Sequence, residues 1–246
     1  MSKVRIASAQ SPEFHNDVPS ALKFLNVMSE RANAQNVHLL AFPEGFLQGY
    51  IVDERQAREV AIDISSQRFF TLLEKFPASG PILVLGMIEI ADGKLYNTAI
   101  VVKDQGLVGR YRKRHLLPSE AAFTAGQELP IFEAVGLKFC INICFDTNFP
   151  VLERQTTLAN VKLMVCCANN MLPHDTAKKY KSLHNSVRGQ RCKETGLWLM
   201  SSDVTGQRED HLALGPTAIL NPKGDVEEQL PLGQIDLLVF DLPCAK

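Results

Sequence analysis

The chain has 246 residues, 46% of them hydrophobic and 22% charged, and its 26 Lys plus Arg stand against 27 Asp plus Glu for a net charge of −1. That length and balance describe one large α/β domain over residues 1–246 with a substantial core. Near-neutral charge leaves no electrostatic footprint for nucleic acid or a membrane surface, and no apolar stretch approaches the roughly 20 residues that span a bilayer.

A strand is expected at once, over residues 4–9, with no basic-then-apolar leader before it. Ala21, Leu22, Leu25 and Met28 recur at helical spacing and predict an amphipathic helix over 18–34. Residues 37–42 read as a second strand, ending at Pro43-Glu44-Gly45. The helix-compatible stretch 53–76 is closed by Pro77, Gly80 and Pro81. Segments 82–90 and 95–103 predict a hairpin around Asp92-Gly93, a strong tight-turn signal. Residues 107–111 continue that sheet and hand over to Lys113. Gly136 divides a short strand, 131–135, from the apolar run 137–143. A buried strand over 161–168, a long helix over 177–194, strands over 198–204 and 216–220, a turn at Asn221-Pro222-Lys223-Gly224 and a last strand over 235–242 complete the chain. Strands interleaved with helices and hairpins predict mixed sheets with helices outside them. No repeat or Pro/Ser-rich linker marks a domain boundary.

Four of the six cysteines, Cys140, Cys144, Cys166 and Cys167, lie in or beside core-strand patterns. That placement predicts free thiols in a reducing, cytoplasmic setting. Cys166-Cys167 is not a C-x-x-C spacing and no His pair follows it, so no zinc site is expected.

Functional groups in such folds gather at the carboxyl ends of strands. Cys144 ends the run Leu137-Lys138-Phe139-Cys140-Ile141-Asn142-Ile143, just before a polar break, where a nucleophile is readily presented. A free thiol, with a pKa of about 8.5, is only slightly ionised at neutral pH and needs a base. Glu44 is the candidate base, its pKa raised by the apolar Phe42 and Pro43 before it. Lys113 is the candidate stabiliser of thiolate and oxyanion, together with the backbone N–H of Phe145. Singly, each is ordinary: a core cysteine, a turn-bracing glutamate, a surface lysine beside Arg110, Arg112 and Arg114.

Together, Phe42-Pro43-Glu44, Tyr111-Arg112-Lys113-Arg114-His115-Leu116 and Cys144-Phe145-Asp146-Thr147-Asn148-Phe149-Pro150 resemble the nitrilase superfamily of carbon–nitrogen hydrolases. Gly86-Met87-Ile88-Glu89 with Tyr96-Asn97-Thr98-Ala99, Glu120-Ala121-Ala122-Phe123-Thr124-Ala125-Gly126 and Glu194-Thr195-Gly196-Leu197-Trp198 are similar to further segments of it. The resemblance implies a four-layer αββα sandwich, dimerised or built into a higher homo-oligomer. It implies Glu44 as general base, Lys113 as oxyanion stabiliser, Cys144 as nucleophile and Glu120 as the accessory carboxylate. A small linear amide would be cleaved through a thioester, with no cofactor or metal.

Hydrolysis of an N-carbamoyl amino acid or a nitrile by the same residues stays open, though the short chain favours an amidase. From other classes, a catalytically silent metabolite-binding relative has no need of all four residues, and a cysteine–histidine hydrolase or a redox-active thiol protein would need a His, such as His174 or His184, or a second cysteine beside Cys144. Where the family often carries an arginine, this chain has Asn148, so Asp146 is expected to be a structural residue held by hydrogen bonds. Asn169 and Asn170 emerge near Cys144, either to bind substrate or to brace their loop.

Overall fold

Two six-stranded sheets, whose central strands are apolar on both faces, stack back to back in a computed structural model that describes residues 3–150 and 160–243. The first sheet holds β1 (Lys3–Gln10), β2 (Leu39–Ala41), β3 (Ile82–Ala91), β4 (Lys94–Lys103), β5 (Gly106–Arg112) and β15 (Asp236–Pro243), in the order β15-β1-β2-β3-β4-β5. The second holds β6 (Phe132–Ala134), β7 (Leu137–Ile143), β8 (Leu163–Cys167), β10 (Trp198–Ser202), β13 (Ala218–Leu220) and β14 (Val226–Gln229), in the order β14-β13-β10-β8-β7-β6. At the centre of each sheet three strands run parallel, β1-β2-β3 and β7-β8-β10, so their carboxyl ends share one edge.

Strand alternation sorts the side chains into layers. Ile6, Leu39, Val84, Phe139, Ile141, Leu163 and Val165 meet in the core between the sheets. Ala7, Leu40, Leu83 and Leu85 face outward against helix α1 (Val18–Ala34) and α3 (Gln67–Leu73). Cys140, Met164, Cys166 and Leu199 face the other way, against Cys192 of α5 (Leu183–Thr195). Helix, sheet, sheet, helix: the architecture is the αββα sandwich.

Helix α1 keeps its predicted bounds because Asp17 caps its first turn, accepting from the Ser20 N–H at 3.1 Å. The hairpin also falls as expected, with Asp92 and Gly93 both at positive φ. Two predicted helices divide. Over 53–76, α2 (Glu54–Val60) and α3 are separated because Ile62 extends to pair with β3, exchanging bonds with Ile88 O and the Ile90 N–H. Asp63 and Ser66 then restart the helix. The long helix expected over 177–194 starts earlier and breaks, as α4 (His174–Tyr180) and α5, because the two halves pack on different sheets. Three short strands that the sequence pattern does not mark, β9 (Leu172–Pro173), β11 (Thr205–Arg208) and β12 (His211–Leu214), form a small third sheet, against which α4 packs.

Cys140, Cys144, Cys166, Cys167 and Cys192 are all free thiols; the sixth cysteine, Cys244, lies outside the described residues. Among the described residues no helix is long and apolar enough to cross a membrane.

Candidate active site

Glu44 sits three residues past β2, in a turn that three elements clamp. Gly86 of β3 donates its N–H to Pro43 O at 3.0 Å and accepts from the Leu47 N–H at 3.1 Å. Ala168, just beyond β8, accepts from the Glu44 N–H at 3.3 Å. The approach to β3 is so close that a Cβ on Gly86 would overlap backbone, reaching 2.6 Å from Pro43 O. Only glycine permits it.

Lys113 leaves β5 with its N–H bonded to Asn97 O at 2.8 Å and its carbonyl to the Gly126 N–H at 2.8 Å. Its ammonium lies 2.8 Å from Glu44 Oε1 and 2.9 Å from Glu120 Oε1. Glu120 closes a 3₁₀ turn at Pro118–Glu120, where its Oε2 accepts the Leu117 N–H at 2.8 Å. Asn97 of β4 donates from the same Nδ2 to Glu44 Oε1 at 2.7 Å and Glu120 Oε1 at 2.9 Å. All four side chains are buried, with Glu44 and Lys113 at 1% exposure and Glu120 at 0%. An ammonium has three N–H donors. Two are spent on the carboxylates, and no third acceptor appears among the described residues.

Cys144 follows β7 directly and opens a 3₁₀ turn, Cys144–Asn148, with its own φ at +42°. A non-glycine residue in that left-handed region costs of order 1–3 kcal/mol and persists only where its surroundings impose it. Asp146 imposes it. Its Oδ2 accepts from the Ile143 N–H at 3.0 Å and Tyr111 OH at 2.8 Å, and its Oδ1 from the His115 N–H at 2.8 Å, the Arg114 N–H at 3.2 Å and His115 Nδ1 at 3.0 Å. Asp146 thus ties the Cys144 turn to the segment carrying Lys113, by hydrogen bonds as expected. Asn148 is exposed and donates to Phe145 O at 3.2 Å. Phe145 is the second residue of the turn, where a backbone N–H has no acceptor within the helix.

Asn169 donates its backbone N–H to Glu44 Oε2 at 3.1 Å. Its side chain is occupied at both ends, by Glu13 Oε1 at 3.2 Å and the Met171 N–H at 3.1 Å. The Asn170 Oδ1 instead faces the Cys144 sulfur, 4.0 Å away. Neither His174 nor His184 hydrogen-bonds to Cys144 among the described residues. Cys140 lies in the core beneath α5.

The electrostatics are those of a crowded buried cluster. Burial opposes the Lys113 ammonium, but Glu44, Cys144 and Glu120 outweigh it and hold its pKa well above the ordinary lysine value. Burial pushes the Glu44 carboxyl up, with Lys113 pulling against it and Glu120 adding to the rise. Burial and then the Glu44 charge push the Cys144 thiol well up, although Lys113 favours the thiolate. A thiol whose ionised form is disfavoured in this way needs a base nearby to react, and Glu44 is the carboxylate that acts on it most strongly. No cluster of three His, Cys, Asp or Glu side chains suited to a metal occurs among the described residues.

Two contributors escaped the sequence reading. Asn97 bridges both carboxylates, and its signal was an amide inside an otherwise apolar strand. Tyr50 places its ring 5.8 Å from Lys113 Nζ and buries its hydroxyl without a partner.

The family model for carbon-nitrogen hydrolases matches residues 5–246. An (R)-stereoselective amidase from a Pseudomonas species is 28% identical over 195 residues, covering 78% of this chain and 69% of that protein. A nitrilase from Pyrococcus abyssi is 29% identical over 220 residues, covering 85% of this chain and 80% of that protein. The solved structure of a glutamine-dependent NAD+ synthetase from Acinetobacter baumannii superposes with a TM-score of 0.83 at 21% identity, over 97% of this chain. This chain spans only 45% of that synthetase.

Proposed function

Because the chain belongs to the carbon-nitrogen hydrolase family, and so hydrolyses carbon–nitrogen bonds other than peptide bonds, we propose that it is an amidase that cleaves small linear amides through a thioester on Cys144. The observation that carries this reading is the Lys113 ammonium held between Glu44 and Glu120, all buried, beside a cysteine on a strained turn.

Glu44 takes the thiol proton as the Cys144 sulfur attacks the amide carbon. The oxyanion of the tetrahedral intermediate receives the remaining N–H of Lys113 and the N–H of Phe145; donors of this kind are worth about 10²–10³ in rate each. Glu44 returns its proton to the departing nitrogen, ammonia or amine leaves, and the acyl group stays on sulfur. Water, giving its proton to Glu44, then attacks the thioester and releases the carboxylic acid and the thiol. Glu120 and Asn97 keep Lys113 and Glu44 in register. The partner is a small molecule, approached past Asn169 and Asn170. A homodimer, which the resemblance implies, and a cytoplasmic setting, which the cysteine placement predicts, belong to the same proposal, and light scattering in solution tests the dimer.

The test is a panel of aliphatic amides, glutamine, N-carbamoyl amino acids and nitriles, with intact-mass detection of acylated Cys144. Amides are expected to leave a transient acyl adduct and release ammonia, and Cys144→Ala to abolish both. Turnover that survives Cys144→Ala overturns the covalent mechanism. Nitriles or carbamoyl compounds turned over in preference to amides would reassign the substrate class.

A further inference from the structure

The Cys144 thiol meets the charged cluster on one side and an amide on the other. The orientation of that amide follows from its partner. Asn170 donates its backbone N–H to Asp203 Oδ1 at 3.1 Å and its Nδ2 to Asp203 Oδ2 at 2.5 Å. Carboxylate oxygens accept, so the backbone N–H and Nδ2 of Asn170 turn to Asp203 and the amide oxygen is left for the sulfur.

Asp203, one residue past β10, is completely buried and has no freedom to move. Its Oδ1 also accepts the Val204 N–H at 3.0 Å, and its own N–H donates to Thr217 Oγ1 at 3.1 Å. Its charge is balanced by Arg188 of α5, itself 3% exposed, whose Nη2 lies 2.9 Å from Asp203 Oδ2. Arg188 Nη1 is anchored in turn by Pro216 O at 2.7 Å, Asn185 Oδ1 at 3.0 Å and Ser201 Oγ at 3.2 Å. Apolar side chains often fill the space of such a buried pair at no loss of stability. Packing alone therefore does not call for it.

We propose that Asp203, clamped by Arg188, is a positioning residue for Cys144: it binds the backbone N–H and the Nδ2 of Asn170 so that the amide oxygen faces the sulfur and holds the thiol in its resting orientation until Glu44 removes the proton. The inference rests on the proposed role of Cys144 as nucleophile. The titratable and charged groups that act on the thiol are Glu44 and Tyr50 from the turn after β2, Lys113 after β5, Cys166 on β8, Asp203 after β10 and Arg188 of α5, while His184 of α5 acts with Arg188 and Asp203. Burial, Glu44, Asp203 and Cys166 all disfavour the thiolate, and Lys113 favours it.

Asp203→Asn keeps the shape, removes one negative charge facing the sulfur and frees the Asn170 amide to turn. Both changes favour the thiolate. The pH of half-maximal alkylation of Cys144 by iodoacetamide, read on the Cys144 peptide by mass spectrometry, should fall by about one unit or more. With the amide found to be turned over, kcat should fall about tenfold or more while KM changes less than about threefold. Asn170→Ala, which leaves the ion pair intact, should move both readouts the same way. Folded variants that keep the wild-type alkylation profile and kcat overturn the inference. If Asp203→Asn does not fold, Asn170→Ala decides alone on the same two readouts. Cys144→Ala run alongside separates the two failures, since its retained turnover would condemn the nucleophile assignment rather than the positioning.

Discussion

The two sheets contribute to the site in different ways. The first supplies a charged cluster: Glu44 and Lys113 follow β2 and β5, Asn97 lies within β4, and Asn97 and Lys113 both bond Glu44, at 2.7 and 2.8 Å. The second supplies the proposed nucleophile and its braces: Cys144, Asn170 and Asp203 follow the ends of β7, β8 and β10. On that side, among the described residues, the sulfur has one hydrogen-bonding partner, at 4.0 Å, and is placed by a left-handed backbone instead. The difference is physical. Buried charges stay in place only if mutually satisfied, whereas a nucleophile must keep its reacting atom unbound, so the backbone carries its precision.

The largest expected effect comes from the charged side. Glu44→Gln preserves volume but leaves no base in either half of the reaction, so kcat/KM should drop by about 10⁴. In the native protein the acid limb of kcat/KM should lie above the ordinary carboxylate value of about 4.3, because burial raises Glu44 and activity appears only as it loses its proton. Since Lys113 is held well above the usual lysine value, it should cause no alkaline fall below about pH 10. A pH–rate profile checks both limbs. An acid limb at or below the ordinary carboxylate value would show that Glu44 is not the titrating base.

Asp146→Ala probes the seam between the two sides. It strands Tyr111 OH and the N–H groups of Ile143, Arg114 and His115, and should cost about 3 kcal/mol in stability. Thermal denaturation should show a midpoint about 6–12 °C lower, and rate should fall about a hundredfold as Cys144 and Lys113 lose registry.

Gly86→Ala tests the first sheet alone. The added methyl overlaps the backbone of Pro43 and Gly45, so Glu44 is displaced while the Cys144 turn is left untouched. Turnover should fall about tenfold or more, at a stability cost of about 1–3 kcal/mol. Iodoacetamide should still reach Cys144.

The smallest effect belongs to Asn148→Arg. Asp146 already has five donors and Asn148 is exposed, so stability should move by no more than about 0.5 kcal/mol. A melting midpoint raised by several degrees would show that Asp146 does gain from an arginine at that position.

Apolar alternation and periodicity sufficed for the central strands, for α1 with its Asp17 cap and for the Asp92-Gly93 hairpin, because those signals are local. Glu44, Lys113 and Cys144 were legible as chemistry-bearing residues at strand ends, and Glu120 through its motif. What remained hidden depends on partners far along the chain. The division of residues 53–76 came from Ile62 pairing with β3, and β14 is a polar exposed strand whose only cue is its backbone partner. Tyr50, Arg188 and Asp203 have no local mark either, Asn97 has only its amide within an apolar strand, and the positions of all four around the charged cluster and the thiol arise only once two sheets are stacked. The sequence by itself determined the layers and the reactive groups, since hydrophobic pattern and side-chain chemistry are properties of short segments. Only the tertiary structure decided which carboxylates share Lys113, how Asp146 stitches the sheets together and which way the Asn170 amide turns, because hydrogen bonds and charge burial depend on distances that no segment contains.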